Sequence, residues 1–276
     1  MKCPPYIVRM LSSFHERWTE KMTRADTPSW LIVPRANAQA RLQLFCFPFA
    51  GGGASLFRMW PDALPSTVEV CAIQLPGREN RMREPPLTRI TDVVDMLATN
   101  LGPRITRPFA LFGHSLGALI SFELARKLRQ QHCSTPICLF VSGRRAPRLP
   151  DPYPPLHDLP EPLFLARVRH RYNGIPQQVL AEPELMQLFL PTLRADLTLL
   201  ETYTYHSEAP LDCPISAFGG THDEQATYDA LLAWREETNS TFSVRVFPGD
   251  HFFVRTAPGL LLQTLATDLQ AITRTL

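Results

Sequence analysis

Phe109-Ala110-Leu111-Phe112-Gly113-His114-Ser115-Leu116-Gly117 joins a short apolar run to an amphipathic stretch through a serine with a glycine two positions to either side. The apolar run has the length of a buried strand. After the serine, Leu119, Phe122, Leu124, Ala125 and Leu128 recur at the three-and-four spacing of a helix's buried face. In a tight strand-to-helix turn the serine backbone is strained and its hydroxyl is pushed out over the sheet, with glycines where side chains would collide. The five-residue pattern alone is weak; the strand before it and the helix after it make Ser115 the candidate nucleophile.

Working outward, the same alternation of strand and helix fills the chain from Arg41 on. Strands are expected at Leu42 to Phe47, Val68 to Leu75, Phe109 to Phe112, Ile137 to Ser142, Ile215 to Phe218 and Phe242 to Phe247. Helices are expected at Ser55 to Ala63, Ile90 to Leu101, Leu116 to Gln131, Glu224 to Thr238 and Pro258 to Arg274. This predicts an α/β domain with a mostly parallel central sheet flanked by helices. Between Arg144 and Cys213 no convincing strand occurs. A Pro-rich start leads into helical stretches at Glu161 to Tyr172 and Glu182 to Tyr203. That is too long for a connecting loop and predicts an inserted helical lid over residues 148–208. Residues 1–27 lack sustained periodicity and are expected to form a flexible N-terminal extension.

Composition narrows the function classes. The 276 residues are 45% hydrophobic, enough for a full core, and 28 Lys plus Arg against 26 Asp plus Glu leave a net charge of +2. Such a balance supplies no global field for nucleic acid. No apolar run approaches the length needed to span a membrane, and the N-terminus lacks the apolar core of a secretory signal. The six cysteines show no C-x-x-C pair and mostly lie in apolar, strand-like runs, where a free thiol acts as a small hydrophobe. A reduced, cytoplasmic protein without structural zinc is expected.

A serine hydroxyl needs a base, and the base needs an orienting carboxylate. Of the eight histidines, His251 lies just past the last strand and just before the last helix, so its loop reaches the strand end that carries Ser115. Asp223 follows the strand starting at Ile215 and faces the same rim; Glu224 is its nearest rival, whereas Asp212 lies at the opposite rim. The chain order Ser115, Asp223, His251 is that of the α/β-hydrolases. A tetrahedral intermediate also needs N–H donors for its oxyanion. One is expected from the backbone of Leu116, the other from the Phe47 to Gly53 loop, whose three glycines let backbone approach a ligand. That loop lacks the G-K-[ST] ending and the G-x-G-x-x-G spacing of phosphate-binding loops.

Six ordered motifs then carry a resemblance: Cys46-Phe-Pro-Phe-Ala-Gly-Gly-Gly, Gln74-Leu-Pro-Gly-Arg-Glu-Asn-Arg, Gly113-His-Ser-Leu-Gly-Ala, Leu193-Arg-Ala-Asp, Phe218-Gly-Gly and Gly249-Asp-His-Phe-Phe. From about residue 28 to 273 the chain resembles the type II thioesterases, stand-alone α/β-hydrolases that accompany polyketide synthases and nonribosomal peptide synthetases. The resemblance implies an α/β-hydrolase domain over residues 28–276, Ser115 as nucleophile, His251 as base, Asp223 as acid, and the N–H groups of Ala50 and Leu116 as oxyanion hole. Two positions depart from the family pattern: Phe49 stands where His is more frequent, and His222 in a loop that often reads G-x-D-D. The resemblance further implies hydrolysis of acyl groups from the phosphopantetheine arm of acyl or peptidyl carrier proteins. It implies a monomer and no cofactor, since the substrate itself carries the phosphopantetheine.

A carrier is usually acidic, so Arg144, Arg145, Arg148, Arg167, Arg169 and Arg171 are candidate contacts. Leu163, Phe164, Leu185, Leu188 and Phe189 are candidates to line an acyl channel. Competing readings are a medium-chain fatty acyl thioesterase, a carboxylesterase or lipase using the same groups, and a non-catalytic module on a hydrolase scaffold.

Overall fold

The structure is a computed structural model in which residues 30–131, 135–172 and 182–276 are described. Their strands are β1 (Leu31–Ile32), β2 (Leu42–Phe47), β3 (Val68–Ile73), β4 (Phe109–His114), β5 (Leu139–Ser142), β6 (Ile215–Gly220) and β7 (Phe242–Phe247). They form one sheet of order β1-β3-β2-β4-β5-β6-β7, in which only the β1–β3 pairing is antiparallel. The α-helices are α1 (Ile90–Leu101), α2 (Leu116–Gln130), α3 (Glu161–Tyr172), α4 (Pro183–Glu201), α5 (Tyr228–Leu232), α6 (Phe253–Thr256) and α7 (Pro258–Arg274).

Parallel strands need long crossovers, and the crossover helices cover both faces of the sheet. Hence β2, β4 and β5 are buried along their whole length. Within β2 the period of two feeds two cores. Phe45 and Phe47 pack with Leu97 of α1 and Leu119 of α2, while Leu44 and Cys46 join Leu261 and Leu265 of α7 on the other face. Each such side chain contributes roughly 1.5–3 kcal/mol through burial. The register sets Phe47 beside Gly113, His114 beside Ser142, and Gly220 beside Phe247. The loops that follow these strands therefore leave from one rim of the sheet, where open α/β sheets place their ligands.

After β5 the chain does not rejoin the sheet until Ile215. In between, α3 and α4 bury Phe164, Val168, Leu190, Leu193 and Leu197 in a third apolar cluster, against which Ala50 of the loop after β2 packs. The insertion thus sits on the same rim.

The expected α/β architecture is present, with the bounds of α1, α3, α7, β2 and β7 as the sequence predicts. β3, β4, β5, β6, α2 and α4 differ at their ends by one or two residues, and three stretches differ further. Ser55 to Ala63 forms two 3-10 turns, Ala54–Phe57 and Trp60–Asp62, because Pro61 starts a new turn instead of continuing one. The helix expected from Glu224 begins at Tyr228, where the Thr227 side chain caps the Ala230 N–H. The edge strand β1 spans two residues, too short to show a period. The extension expected over residues 1–27 lies outside the described residues.

Candidate active site

Ser115 adopts φ +55° and ψ −113°, a left-handed conformation that costs a non-glycine residue of order 1–3 kcal/mol. Two steric facts hold it there. A Cβ at Gly113 would collide with the Gly117 backbone, and one at Gly117 with the carbonyl of Phe47. The Ser115 N–H donates to the Ser142 carbonyl at 2.8 Å, tying the turn to β5.

The structure brings the three residues singled out by sequence into one hydrogen-bonded chain. His251 Nε2 lies 3.0 Å from Ser115 Oγ, and His251 Nδ1 lies 3.0 and 2.9 Å from Asp223 Oδ1 and Oδ2. All three side chains are buried. A carboxylate only accepts, so Nδ1 carries the proton and Nε2 is free to accept from the Ser115 hydroxyl. Asp223 is itself oriented by the N–H groups of Gln225 at 2.9 Å and Ala226 at 3.3 Å. Burial alone would raise its carboxyl pKa. The hydrogen bond and charge of His251, with the Gln225 N–H, outweigh that and hold it below the usual carboxylate range. Glu224, the rival acid, has no part in this chain of bonds.

Of the donors in the loop after β2, Gly51 N–H is taken by Asp196 Oδ2 at 2.7 Å and Gly52 N–H by the Phe49 carbonyl at 2.8 Å. No protein acceptor among the described residues takes the N–H of Ala50 or of Leu116. Ala50, Ser115 and His251 line a common cavity closed by Tyr172 of α3 and by Phe189 and Leu193 of α4. Its free space is about 30 Å³, room for about one or two waters. A larger groove of about 650 Å³ runs between α1, α2 and the C-terminal end of α4. Its walls carry internal ion pairs such as Lys127–Asp95 and Arg126–Glu208, and none of the three residues reaches it.

Sequence reasoning missed three residues that hold this geometry. His114 is fully buried, with Nε2 2.8 Å from the His251 carbonyl and Nδ1 2.9 Å from Ser142 Oγ. Burial, then the neighbouring His251, push its pKa down to about 3. It is therefore neutral, donating from Nε2 and accepting from the Ser142 hydroxyl. Asp196 and Arg78 form a buried pair at 2.7 Å beside the loop after β2. Their signal was present in Leu193-Arg-Ala-Asp and Gln74-Leu-Pro-Gly-Arg, motifs to which no role was attached.

Other expectations are corrected. Of the five candidate channel residues only Phe189 lines the cavity; Phe164 is buried within the insertion, and Leu163, Leu185 and Leu188 are exposed. Arg148 pairs with Glu236 and Glu237, Arg145 donates to the carbonyls of Pro150 and Gln225, and Arg171 donates to the Pro154 carbonyl. Burial shields the Arg144 guanidinium. Arg167 and Arg169 remain exposed. No helix among the described residues is long and apolar enough to cross a membrane.

Residues 42–269 match the family model described as thioesterase domain. The chain is 46% identical over 243 residues to the gramicidin S biosynthesis protein GrsT of Aneurinibacillus migulanus, covering 88% of this chain and 94% of that one. It is 43% identical over 252 residues to the protein named linear gramicidin dehydrogenase LgrE of Brevibacillus parabrevis, covering 90% and 95%. The solved structure of RedJ, a thioesterase from the prodiginine biosynthetic pathway in Streptomyces coelicolor, superposes with a TM-score of 0.79 at 39% identity, covering 88% and 98%. With its mostly parallel sheet, its strained serine turn and these relatives, the chain belongs to the thioesterase family, on the α/β-hydrolase fold.

Proposed function

We propose that this thioesterase hydrolyses acyl thioesters held on the phosphopantetheine arm of acyl or peptidyl carrier proteins, as an editing or releasing enzyme of polyketide or nonribosomal peptide assembly. The observation that carries the reading is the continuous bonding from Ser115 Oγ through His251 to Asp223 at the open rim of the sheet. The relatives' roles in gramicidin S and prodiginine biosynthesis supply the substrate class.

Ser115 Oγ attacks the thioester carbonyl while His251 Nε2 takes its proton. The oxyanion meets the N–H groups of Ala50 and Leu116. Collapse breaks the C–S bond, and the departing sulfur takes the proton back from His251. A thiol of pKa about 8.5 leaves readily, so little acid assistance is required. Water, deprotonated by His251, then cleaves the acyl-enzyme and restores Ser115. Three side chains and two amides of one chain supply every group this sequence of steps uses, so it calls for no cofactor and is compatible with a monomer. The buried, unpaired thiols Cys46, Cys71, Cys138 and Cys213 suit a reducing cytoplasm. Carrier contact falls to the exposed Arg167 and Arg169 on α3.

The name of LgrE suggests hydride transfer instead. The loop at Gly51 to Gly53 lacks the spacing of a dinucleotide fingerprint, and its Gly51 N–H is committed to Asp196. The test is turnover of matched acyl-pantetheine thioesters and oxygen esters, free and on a carrier, with Ser115→Ala as control. Loss of thioester hydrolysis in the variant, with thioester preferred over ester, is expected. Undiminished hydrolysis by Ser115→Ala overturns the reading.

A further inference from the structure

The loop that presents Ala50 closes its own turn and is gripped in addition from the insertion. Phe49 to Gly52 forms a turn closed by the Gly52 N–H to Phe49 carbonyl bond at 2.8 Å. Ala50 and Gly51 are its central residues, and Gly51 has φ +75°, the value the third position of a type II turn demands. Asp196, fully buried on α4, accepts the Gly51 N–H on Oδ2 at 2.7 Å. The same oxygen accepts Arg78 Nη1 at 2.7 Å, and Oδ1 accepts Nη2 at 2.8 Å. Arg78 Nη1 also donates to the Gly52 carbonyl at 3.1 Å. Carboxylate and guanidinium thus hold the central peptide of the turn, at the Gly51 N–H, and the peptide that leaves it, at the Gly52 carbonyl. Fixing the Gly51 N–H fixes the peptide plane that joins Ala50 to Gly51; the Ala50 N–H lies in the preceding plane, hinged to it at the Ala50 Cα and held through its Phe49 carbonyl by the Gly52 N–H.

We propose that Asp196, held by Arg78, is a positioning residue for the oxyanion donor Ala50, so that the transition-state site is complete only when α4 is seated. The proposal rests on the reading of Ser115 as nucleophile. It also explains why the anchor lies on α4: Leu193 and Leu197 of the same helix line the cavity beside Ser115. The wall that meets an acyl group and the group that sets the oxyanion donor therefore move as one body.

The experiment compares wild type, Asp196→Asn and Arg78→Lys, with Ser115→Ala as reference. Three quantities are read for each: kcat and KM on an acyl-pantetheine thioester, affinity for a trifluoromethyl ketone analogue, and affinity for a non-reactive thioether of the same acyl group. The ketone adds to Ser115 and places an oxyanion in the hole, whereas the thioether reports ground-state binding. The expected result is a fall in kcat of about 10- to 100-fold, an equal loss of ketone affinity, and unchanged KM and thioether affinity. Wild-type kcat and ketone affinity in both variants would overturn the proposal. So would loss of thioether affinity in step with the ketone, which marks a role in shaping the pocket alone. If Asp196→Asn fails to fold, Arg78→Lys carries the comparison, since it keeps the charge and removes the two-pronged contact. Activity surviving in Ser115→Ala would instead refute the nucleophile, whatever Asp196 does.

Discussion

His114 Nε2 donates to the backbone carbonyl of His251 at 2.8 Å, so the residue preceding Ser115 holds the loop that carries His251. Full burial requires a neutral His114, so with Nε2 donating, its Nδ1 accepts from Ser142 Oγ.

This requirement gives a pH dependence with a definite sign. His114 has its pKa lowered from 6.5 to about 3 on folding, so between those values the unfolded chain binds a proton that the folded one refuses. Stability is complete above about pH 6.5 and falls as pH drops toward 3, by roughly 1.4 kcal/mol per pH unit. Asp223, lowered on folding, adds a loss of the same sign at more acid pH, below its unfolded value of about 3.9. Denaturant unfolding from pH 7 to 4 should show the first slope. His114→Gln, which can still donate and accept, should flatten it; an unchanged slope would show that other groups are responsible.

Asp223→Asn should cost kcat on the order of 10⁴-fold, as in other serine hydrolases, with little change in KM. The Gln225 and Ala226 N–H groups hold one oxygen of the side chain, so the amide NH₂ would face Nδ1. The ring would then carry its proton on Nε2 and could not accept from Ser115. Steady-state kinetics check this; a loss below tenfold would be incompatible with the role given to Asp223.

Gly117→Ala should destabilise the fold by about 3 kcal/mol or more, because the added methyl runs into the Phe47 and Pro48 carbonyls, backbone atoms at the end of a buried strand. Urea midpoints for this variant and for an alanine at the open position Gly102, where nothing lies near, would separate the collision from ordinary helix propensity. Equal midpoints would contradict it.

The free space beside Ser115 is about 30 Å³, so a bulky acyl group is expected to enter only with movement of α3 and α4. Phe189→Ala removes a ring that lines that cavity and fills the space a side chain at Gly51 would need. It should raise kcat/KM for bulky acyl thioesters relative to acetyl by about tenfold. A competition assay with mixed acyl-pantetheines measures the ratio directly, and a ratio equal to wild type would exclude Phe189 as a steric limit.

The legible parts of the molecule are those governed by short-range rules. The parallel strands show as apolar runs because both their faces are buried, and α7 shows as a stripe because only one of its faces is. The Ser115 turn is recognisable because its glycines are needed within four residues of one another. Even the pairing of Asp223 with His251 follows, since parallel strands deliver all their C-terminal loops to one rim. Which arginines of the insertion pair internally was not legible, because charge along a sequence does not reveal partners: Glu236 and Glu237 arrive at Arg148 from a distant turn.

From sequence alone come the parallel sheet with its flanking helices, the rim, and the candidates for nucleophile, base and acid, because periodicity, chirality and turn sterics act between near neighbours. Only the tertiary structure decided that Asp196 reaches Gly51, 145 residues away, and that His114 grips the carbonyl of His251. Such contacts depend on how an inserted helix and a loop land on the finished sheet. Hydrogen bonds between groups brought together by burial leave no period in the chain to read.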